Sequence, residues 1–207
     1  MKDYSQHGES LVLDLLFQKI GTIEKYGVEF GASDGYRLSN LRFFLDSGWT
    51  GLQMEGKVSP GSAVKQEFIT RENINQLFDK YQVPQKFDLL SIDIDGNDYW
   101  VWKEITREPN VVIVEYNSNF SSEVSAVLEY DPSHIWDGSY AYGASFKAMC
   151  NLAKEKNYYL YEEKSYNNLI FVKDAYKSIA PPLFKGISLP HHQHGQVLHN
   201  KKFIEVE

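Results

Sequence analysis

Residues 26–35 read YGVEFGASDG, and this stretch decides the predicted fold. The short apolar run Val28-Glu29-Phe30 carries one acid and ends in the glycine-containing segment 31–35. A strand followed by a glycine-rich turn and a helix is how an α/β sheet presents backbone N–H groups to a nucleotide-like ligand. The spacing G-A-S-D-G differs from the GxGxxG pattern that is typical of pyrophosphate binding. The stretch therefore predicts an α/β sheet with a nucleotide-like ligand.

Two acids in this stretch, Glu29 and Asp34, indicate which ligand is favoured. Carboxylates repel phosphate groups and attract cationic groups, and they accept hydrogen bonds from ribose hydroxyls. S-adenosylmethionine combines a cationic sulfonium with free ribose hydroxyls. The stretch therefore favours S-adenosylmethionine over a dinucleotide.

The rest of the chain alternates predicted strands with predicted helices, which is typical of a doubly wound α/β domain. Near-continuous apolar runs indicate central parallel strands that are buried on both faces. We expect five parallel strands, a closing antiparallel hairpin, and helices on both faces of the sheet. The predicted strands are 28–30, 49–55, 65–69, 87–94, 111–114, 158–161 and 169–172.

Length and composition indicate one globular domain over residues 1–207. The net charge of −7 argues against a nucleic-acid partner, because such partners bind basic surfaces. The single cysteine, Cys150, excludes an internal disulfide and a cysteine-based zinc cluster. No apolar run approaches the roughly 18 residues of a membrane span, and the N-terminus does not resemble a signal peptide. We therefore expect a cytoplasmic protein without a membrane partner, whose oligomeric state stays open.

Three segments flank the predicted sheet. Residues 1–25 form an N-terminal helical cap, in which Val12, Leu15, Leu16 and Ile20 have helical spacing. Residues 118–142 lack a clean period, and a connection of this length is typical of a functional loop, here a substrate lid. Residues 176–207 are a C-terminal extension whose histidines could bind a metal but are more typical of a solvated cluster. These histidines are His191, His192 and His194.

Acidic residues mark the carboxyl ends of four predicted strands, at Glu29, Glu55, Asp93 and Glu115. Ligands of open α/β sheets bind beyond these ends, so the four acids should converge on one crevice. Glu55 lies roughly 20 residues beyond Asp34, where nucleotide-binding units place the acid that binds ribose hydroxyls.

The glycines of the stretch could have a purely conformational role, because turns often need glycine at positive φ. Their place between a strand and a helix favours a ligand contact instead. The predicted cofactor-binding residues are Glu29, Gly31, Ala32, Ser33, Asp34, Gly35, Asn40, Glu55, Gly56 and Asp93.

Three roles are open to Asp93, Asp95 and Asp98. They could line the cofactor pocket, they could bind a divalent cation such as Mg²⁺ through oxygen ligands, or they could start the next helix. No histidine joins the cluster locally, which argues against a metal site. The sequence leaves Mg²⁺ open.

Taken in order, the motifs of the chain resemble the FkbM-type branch of class I S-adenosylmethionine-dependent methyltransferases. The motifs are SQHGE, VEFGASDG, LSN, GWTGLQMEG, FDLLSIDIDGNDYWVW, VVIVEYN and YGASFKAM. The resemblance implies a seven-stranded Rossmann-like methyltransferase sheet. It also implies methyl transfer from S-adenosylmethionine to an oxygen, often on a sugar or another small metabolite. The final segment of the chain matches nothing in the family.

Such a reaction needs a base that accepts the proton of the acceptor hydroxyl. His134 in the predicted lid suits this role near neutral pH, although loop histidines are more often plain surface residues. Asp95 and Asp93 are the other candidates. A hydroxylated small molecule such as a carbohydrate is the expected acceptor, because aromatic faces suit sugar rings. The predicted substrate residues are Glu115, Asn117, His134 and Trp136, and the resemblance implies Gln6 as a further one.

Two other functions stay open on the same fold. One is a nucleotide-sugar or dinucleotide-binding oxidoreductase, which the missing third glycine and Asp34 argue against. The other is a protein that binds the cofactor but does not turn over.

Overall fold

The computed structural model describes residues 2–186 and 202–207, which form one large and one small β-sheet. The nine strands are β1 (Tyr26–Phe30), β2 (Thr50–Glu55), β3 (Lys65–Gln66), β4 (Lys86–Ile92), β5 (Glu108–Glu115), β6 (Ala126–Leu128), β7 (Tyr158–Lys164), β8 (Asn168–Lys173) and β9 (Phe203–Glu205). The large sheet has seven strands in the order β3-β2-β1-β4-β5-β8-β7.

Strands β1 to β5 pair in parallel, whereas β8 runs antiparallel to both β5 and β7. This confirms the predicted seven-stranded, mostly parallel sheet with its terminal antiparallel hairpin. The chain moves outward from β1 to β3 and then returns to β4 on the other side of β1. Because the strand order reverses there, a crevice opens at the carboxyl ends of β1 and β4.

Helices cover both faces of the large sheet, as the sequence predicts. They are α1 (Glu9–Ile20), α2 (Arg42–Asp46), α3 (Ile74–Lys80), α4 (Asp98–Glu104) and α5 (Phe146–Glu155). Apolar residues of α1 and α2 share one core with Val111 and Ile113, while α3, α4 and α5 share the other with Val112 and Val114. The alternation along β5 is the expected result for a strand buried on both faces. Among the described residues, no helix is long and apolar enough to cross a membrane.

The apolar stripe of α1 differs from the predicted one. Leu15 is 59% exposed, whereas Leu13, Leu16 and Phe17 are buried. Residues 13, 16, 17 and 20 follow the i, i+3, i+4, i+7 spacing of one helix face, and Leu15 lies off that face. The inclusion of Leu15 in the stripe was therefore wrong.

A buried carboxylate fixes the entry of the chain into β1. Asp88 on β4 is completely buried, and it accepts hydrogen bonds from the backbone N–H groups of Ile23, Glu24 and Tyr26. The side chain of Asn110 on β5 donates a further one. This network sets the position of β1 against β4 and β5.

The segment 118–142 is more ordered than a plain loop. It contains β6, which pairs antiparallel with β9 from the end of the chain, and Val127 also pairs with Ala144. The C-terminal extension therefore returns to the predicted lid. His191, His192 and His194 lie outside the described residues.

Candidate active site

A cleft of about 770 Å³ opens at the carboxyl ends of the parallel strands. Most of the predicted site residues line it, from the ends of β1, β2, β4 and β5, the N-terminal cap and the lid. These residues are Gln6, Glu29, Gly31, Ser33, Asn40, Glu55, Gly56, Asp93, Asp95, Glu115, His134 and Trp136. A smaller cavity of about 450 Å³ lies at the opposite edge of the sheet and contains none of them.

Gly31 brings the end of β1 against the end of β4. Its φ is +68°, and a Cβ at this position would lie 1.6 Å from the backbone oxygen of Asp93. Only glycine permits this contact, because it has no Cβ and adopts positive φ without strain. The glycine therefore has both the conformational role and a place in the wall of the cleft.

Glu29 anchors the loop that follows β1. Its buried carboxylate accepts hydrogen bonds from Ser39 Oγ at 2.6 Å, from the Asn40 N–H at 2.7 Å and from Gln53 Nε2 at 2.8 Å. Burial raises the pKa of Glu29, and the hydrogen bonds from Ser39 and Gln53 oppose that shift. Because both carboxylate oxygens accept hydrogen bonds, Glu29 shapes this side of the cleft through the loop.

Three other predicted cofactor residues do not line the cleft. Asp34 is exposed and accepts hydrogen bonds from the N–H groups of Tyr36 and Arg37, and the bond from Arg37 is the main cause of its lowered pKa. Ala32 is buried. Gly35 faces Val64 and Gln53. These residues fold the turn beside the cleft, and their contact with a cofactor stays a prediction.

Glu55 lies at the end of β2 with its carboxylate beside the loop after β1. Its Oε2 accepts a hydrogen bond of 3.0 Å from the Ser33 N–H, and Oε1 accepts one of 3.3 Å from the Lys57 N–H. A carboxylate has about four lone-pair positions, so two hydroxyls can still bind to it. This geometry fits the predicted ribose contact.

Phe68 is a cleft residue that the sequence analysis missed. It follows β3, lines the cleft together with Ile69, and is 46% exposed. The signal that could have found it is the position of an aromatic residue just beyond the strand that pairs with β2.

Asp93, Asp95 and Glu115 form a carboxylate cluster. One oxygen from each lies within 4.8 Å of the other two. Burial and the charge of Asp98 raise the pKa of Asp93, and burial and the charge of Asp93 raise the pKa of Glu115. Burial and the charges of Asp98 and Glu55 raise the pKa of Asp95 to about 6.

Asp98 does not belong to this cluster. It is completely buried, and its two oxygens accept hydrogen bonds from the N–H groups of Ile94 at 2.8 Å and Gly96 at 2.9 Å. It begins α4 and closes the preceding turn. Of the three roles open to it, the structure shows the helix start, and its role as a metal ligand stays a prediction.

His134 reaches from the lid to the turn after β4. Its Nε2 lies 3.1 Å from the backbone oxygen of Asp95, and its ring packs on Gly96, where a Cβ would lie 2.2 Å from His134 Cδ2. A carbonyl oxygen only accepts hydrogen bonds, so Nε2 carries the hydrogen in this contact. Nδ1 is therefore the nitrogen that could accept a proton.

Asn117 holds the lid from beneath. It is completely buried, and its Nδ2 donates hydrogen bonds of 2.9 and 2.8 Å to the backbone oxygens of Tyr140 and Tyr142. Its Oδ1 accepts hydrogen bonds from Asn119. These contacts occupy its side chain beneath the lid, and a substrate contact of Asn117 stays a prediction.

Two other predicted substrate residues do reach the cleft. Gln6 accepts a hydrogen bond of 3.3 Å from Asn167 Nδ2 and ties the N-terminal segment to the hairpin turn. Trp136 is 47% exposed, and its Nε1 donates to the backbone oxygen of Ser139. An aromatic face is thus open at the mouth of the cleft.

Comparison with known families identifies the chain. Residues 19–160 match the model of the Methyltransferase FkbM domain, which is more than half of the 207 residues. The chain belongs to the FkbM methyltransferase family. The matched region of this FkbM protein runs from the end of α1 to the start of β7, so it includes every strand end of the cleft.

Solved structures resemble the FkbM protein at low sequence identity. The N-terminal domain of EvdMO1 with SAH bound is 14% identical, covers 80% of this chain and 80% of its own, and has a TM-score of 0.46. An S-adenosylmethionine-dependent methyltransferase from Clostridium acetobutylicum is 10% identical, with 83% and 92% covered and a TM-score of 0.47. A comparison with curated proteins returned no match.

Proposed function

We propose that this protein transfers a methyl group from S-adenosylmethionine to a hydroxyl of a small, carbohydrate-like acceptor. The observation that carries the proposal is the convergence of Glu55 and the carboxylate cluster on one cleft of a methyltransferase-family sheet. Carboxylates at these strand ends suit a cationic nucleoside and disfavour a pyrophosphate.

The cofactor would lie across the ends of β1, β2 and β4. Its ribose hydroxyls would donate to Glu55, and its methionine end would lie along the loop at Gly31. Phe68 and Ile69 would pack against the adenine ring, because an exposed aromatic face beside an aliphatic side chain suits a flat base.

The acceptor would enter beneath the lid, beside Trp136. Its oxygen attacks the methyl carbon, the C–O bond forms as the C–S bond breaks, and the hydroxyl proton leaves to a nearby base. Asp95 is our first candidate for that base, because it lines the cleft at the end of β4. His134 holds the Asp95 turn through Nε2. The protein contributes alignment of the reactants and acceptance of the proton.

Isothermal titration calorimetry with S-adenosylhomocysteine tests this arrangement. We expect wild-type protein to bind, and Glu55→Gln to bind about 10- to 100-fold more weakly, because a hydrogen bond to a charged group contributes roughly 1.5–3 kcal/mol. Glu104→Gln is the matched control, since Glu104 is an exposed acid at the end of α4. Equal affinities of the two variants for S-adenosylhomocysteine would show that Glu55 does not bind the cofactor.

Turnover distinguishes methyl transfer from simple cofactor binding. Protein that binds S-adenosylhomocysteine should methylate members of a panel of sugars and other hydroxylated metabolites. If it binds the cofactor and transfers a methyl group to none of them, the result favours a cofactor-binding protein without methyltransferase activity.

A further inference from the structure

The cluster of Asp93, Asp95 and Glu115 has more negative charge than its protein surroundings balance. Each pairwise interaction within the cluster is repulsive, and Asp98 and Glu55 add further negative charge. The favourable charge interaction identified at Asp95 comes from His134. Like charges held this closely in a partly buried site favour a compensating positive charge or a proton.

Glu115 supplies an independent indication of a missing partner. Its side chain is partly buried, and its Oε2 atom is closed off from solvent and accepts no hydrogen bond from any described residue. Buried polar atoms in folded proteins normally have a partner, so an orphaned one needs an explanation. Nearby Asp98 shows the contrast, because two backbone N–H groups bind its carboxylate.

We propose that Asp93, Asp95 and Glu115 bind a divalent cation, with Mg²⁺ as the expected ion. Three carboxylate oxygens within 4.8 Å of one another match the hard oxygen ligands that Mg²⁺ prefers, and Mg²⁺ commonly keeps several waters or substrate oxygens as its other ligands. This ligand set draws on the ends of both β4 and β5, and it differs from the Asp93, Asp95 and Asp98 set that the sequence suggested.

The site has a consequence for the acceptor, which rests on the proposed function. A cation held here would offer its remaining positions to oxygens in the cleft, and would thereby select acceptors with a hydroxyl beside a second oxygen. Coordination lowers the proton affinity of a bound hydroxyl. The second oxygen of Asp95 stays available to accept that proton.

A Mn²⁺ titration tests the site without any turnover. Binding is measured as the loss of the electron paramagnetic resonance signal of free Mn²⁺. Carboxylate sites accept Mn²⁺ as well as Mg²⁺. We expect one Mn²⁺ per chain, displaced by Mg²⁺, with binding weakened at least tenfold in Asp95→Asn and in Glu115→Gln, because even outer-shell changes cost 10- to 100-fold. Glu104→Gln should bind as wild type.

All proteins in this test carry alanine at residues 191, 192 and 194, so that the histidine cluster contributes no ligand. Circular dichroism reports whether each variant is folded. Mg²⁺ should also raise the Tm of the parent protein and leave that of Glu115→Gln unchanged, because an ion that binds only the folded state stabilises it.

Two outcomes would overturn the proposal: no Mn²⁺ binding by folded protein, or equal binding by the parent and both cluster variants. Failure here is distinguishable from failure of the proposed function. Binding of S-adenosylhomocysteine without Mn²⁺ binding would contradict only the cation site. Binding of Mn²⁺ by folded protein without S-adenosylhomocysteine binding would contradict only the proposed cofactor.

Discussion

At the scale of single residues, two glycines at strand ends set the geometry of the cleft. Gly31 allows the loop after β1 to touch the backbone of Asp93, and Gly96 leaves room for the ring of His134. Each contact joins two parts of the cleft wall that are distant in sequence. Both positions therefore allow sharp tests in which a single methyl group is added.

Gly31→Ala should damage both stability and cofactor binding. The new Cβ would overlap the backbone oxygen of Asp93, and the residue would also have positive φ. We expect a loss of about 2–4 kcal/mol in the free energy of unfolding, measured with urea, and little or no S-adenosylhomocysteine binding.

Gly48→Ala is the matched control, because Gly48 has φ +89° and nothing within 4 Å of its added Cβ. It should lose about 1–2 kcal/mol from backbone strain alone and bind the cofactor normally. Equal losses in the two variants would show that the contact with Asp93 does not matter.

Gly96→Ala should displace His134, since the atoms nearest to its new Cβ belong to that ring. The effect on the free energy of unfolding should shrink when His134 is already alanine. A double-mutant cycle should therefore give a coupling of about 0.5–3 kcal/mol. Additive effects would show that the lid does not rest on Gly96.

At the scale of elements, the lid is held by Asn117, which follows β5, and by the pairing of its strand β6 with β9. Asn117 binds its far end through the backbone oxygens of Tyr140 and Tyr142, and β6 pairs with β9. The lid is thus fixed at its base, while Trp136 at its tip stays half exposed.

Asn117→Ala should loosen the lid, because the backbone oxygens of Tyr140 and Tyr142 each lose a hydrogen bond from its side chain. We expect a loss of about 1–3 kcal/mol in the free energy of unfolding and faster proteolysis within residues 118–142. Asn75→Ala, which removes hydrogen bonds to Glu104 and Thr106, should destabilise the protein without faster cleavage in the lid. Similar lid cleavage in both variants would contradict this role.

The sequence predicts elements better than it predicts where polar side chains point. The central strands are readable because they are apolar on both faces, and their acidic ends converge because parallel strands end at one edge. The hydrogen-bond partners of Asp98 and Asn117 could not be predicted, since they are backbone groups whose positions depend on the folded loops. The role of Asp88 could not be predicted for the same reason, because its partners are backbone N–H groups and its neighbours in sequence are apolar.

At the scale of the whole molecule, Cys150 reports on the integrity of the core behind the cleft. It packs against the core that α3, α4 and α5 share, and burial raises the pKa of its thiol to about 12. Because the thiolate is the reactive form, we expect Ellman's reagent to label Cys150 very slowly in native protein and rapidly in 8 M urea. Fast labelling of native protein would contradict this packing.

The central claim is that the acidic cleft selects a cationic nucleoside over a phosphate-bearing one. Parallel calorimetric titrations of the wild-type protein with S-adenosylmethionine and with NADH test this claim most directly. The account predicts saturable binding of S-adenosylmethionine with one site per chain, and no detectable binding of NADH. Binding of NADH by folded protein that does not bind S-adenosylmethionine would contradict the claim.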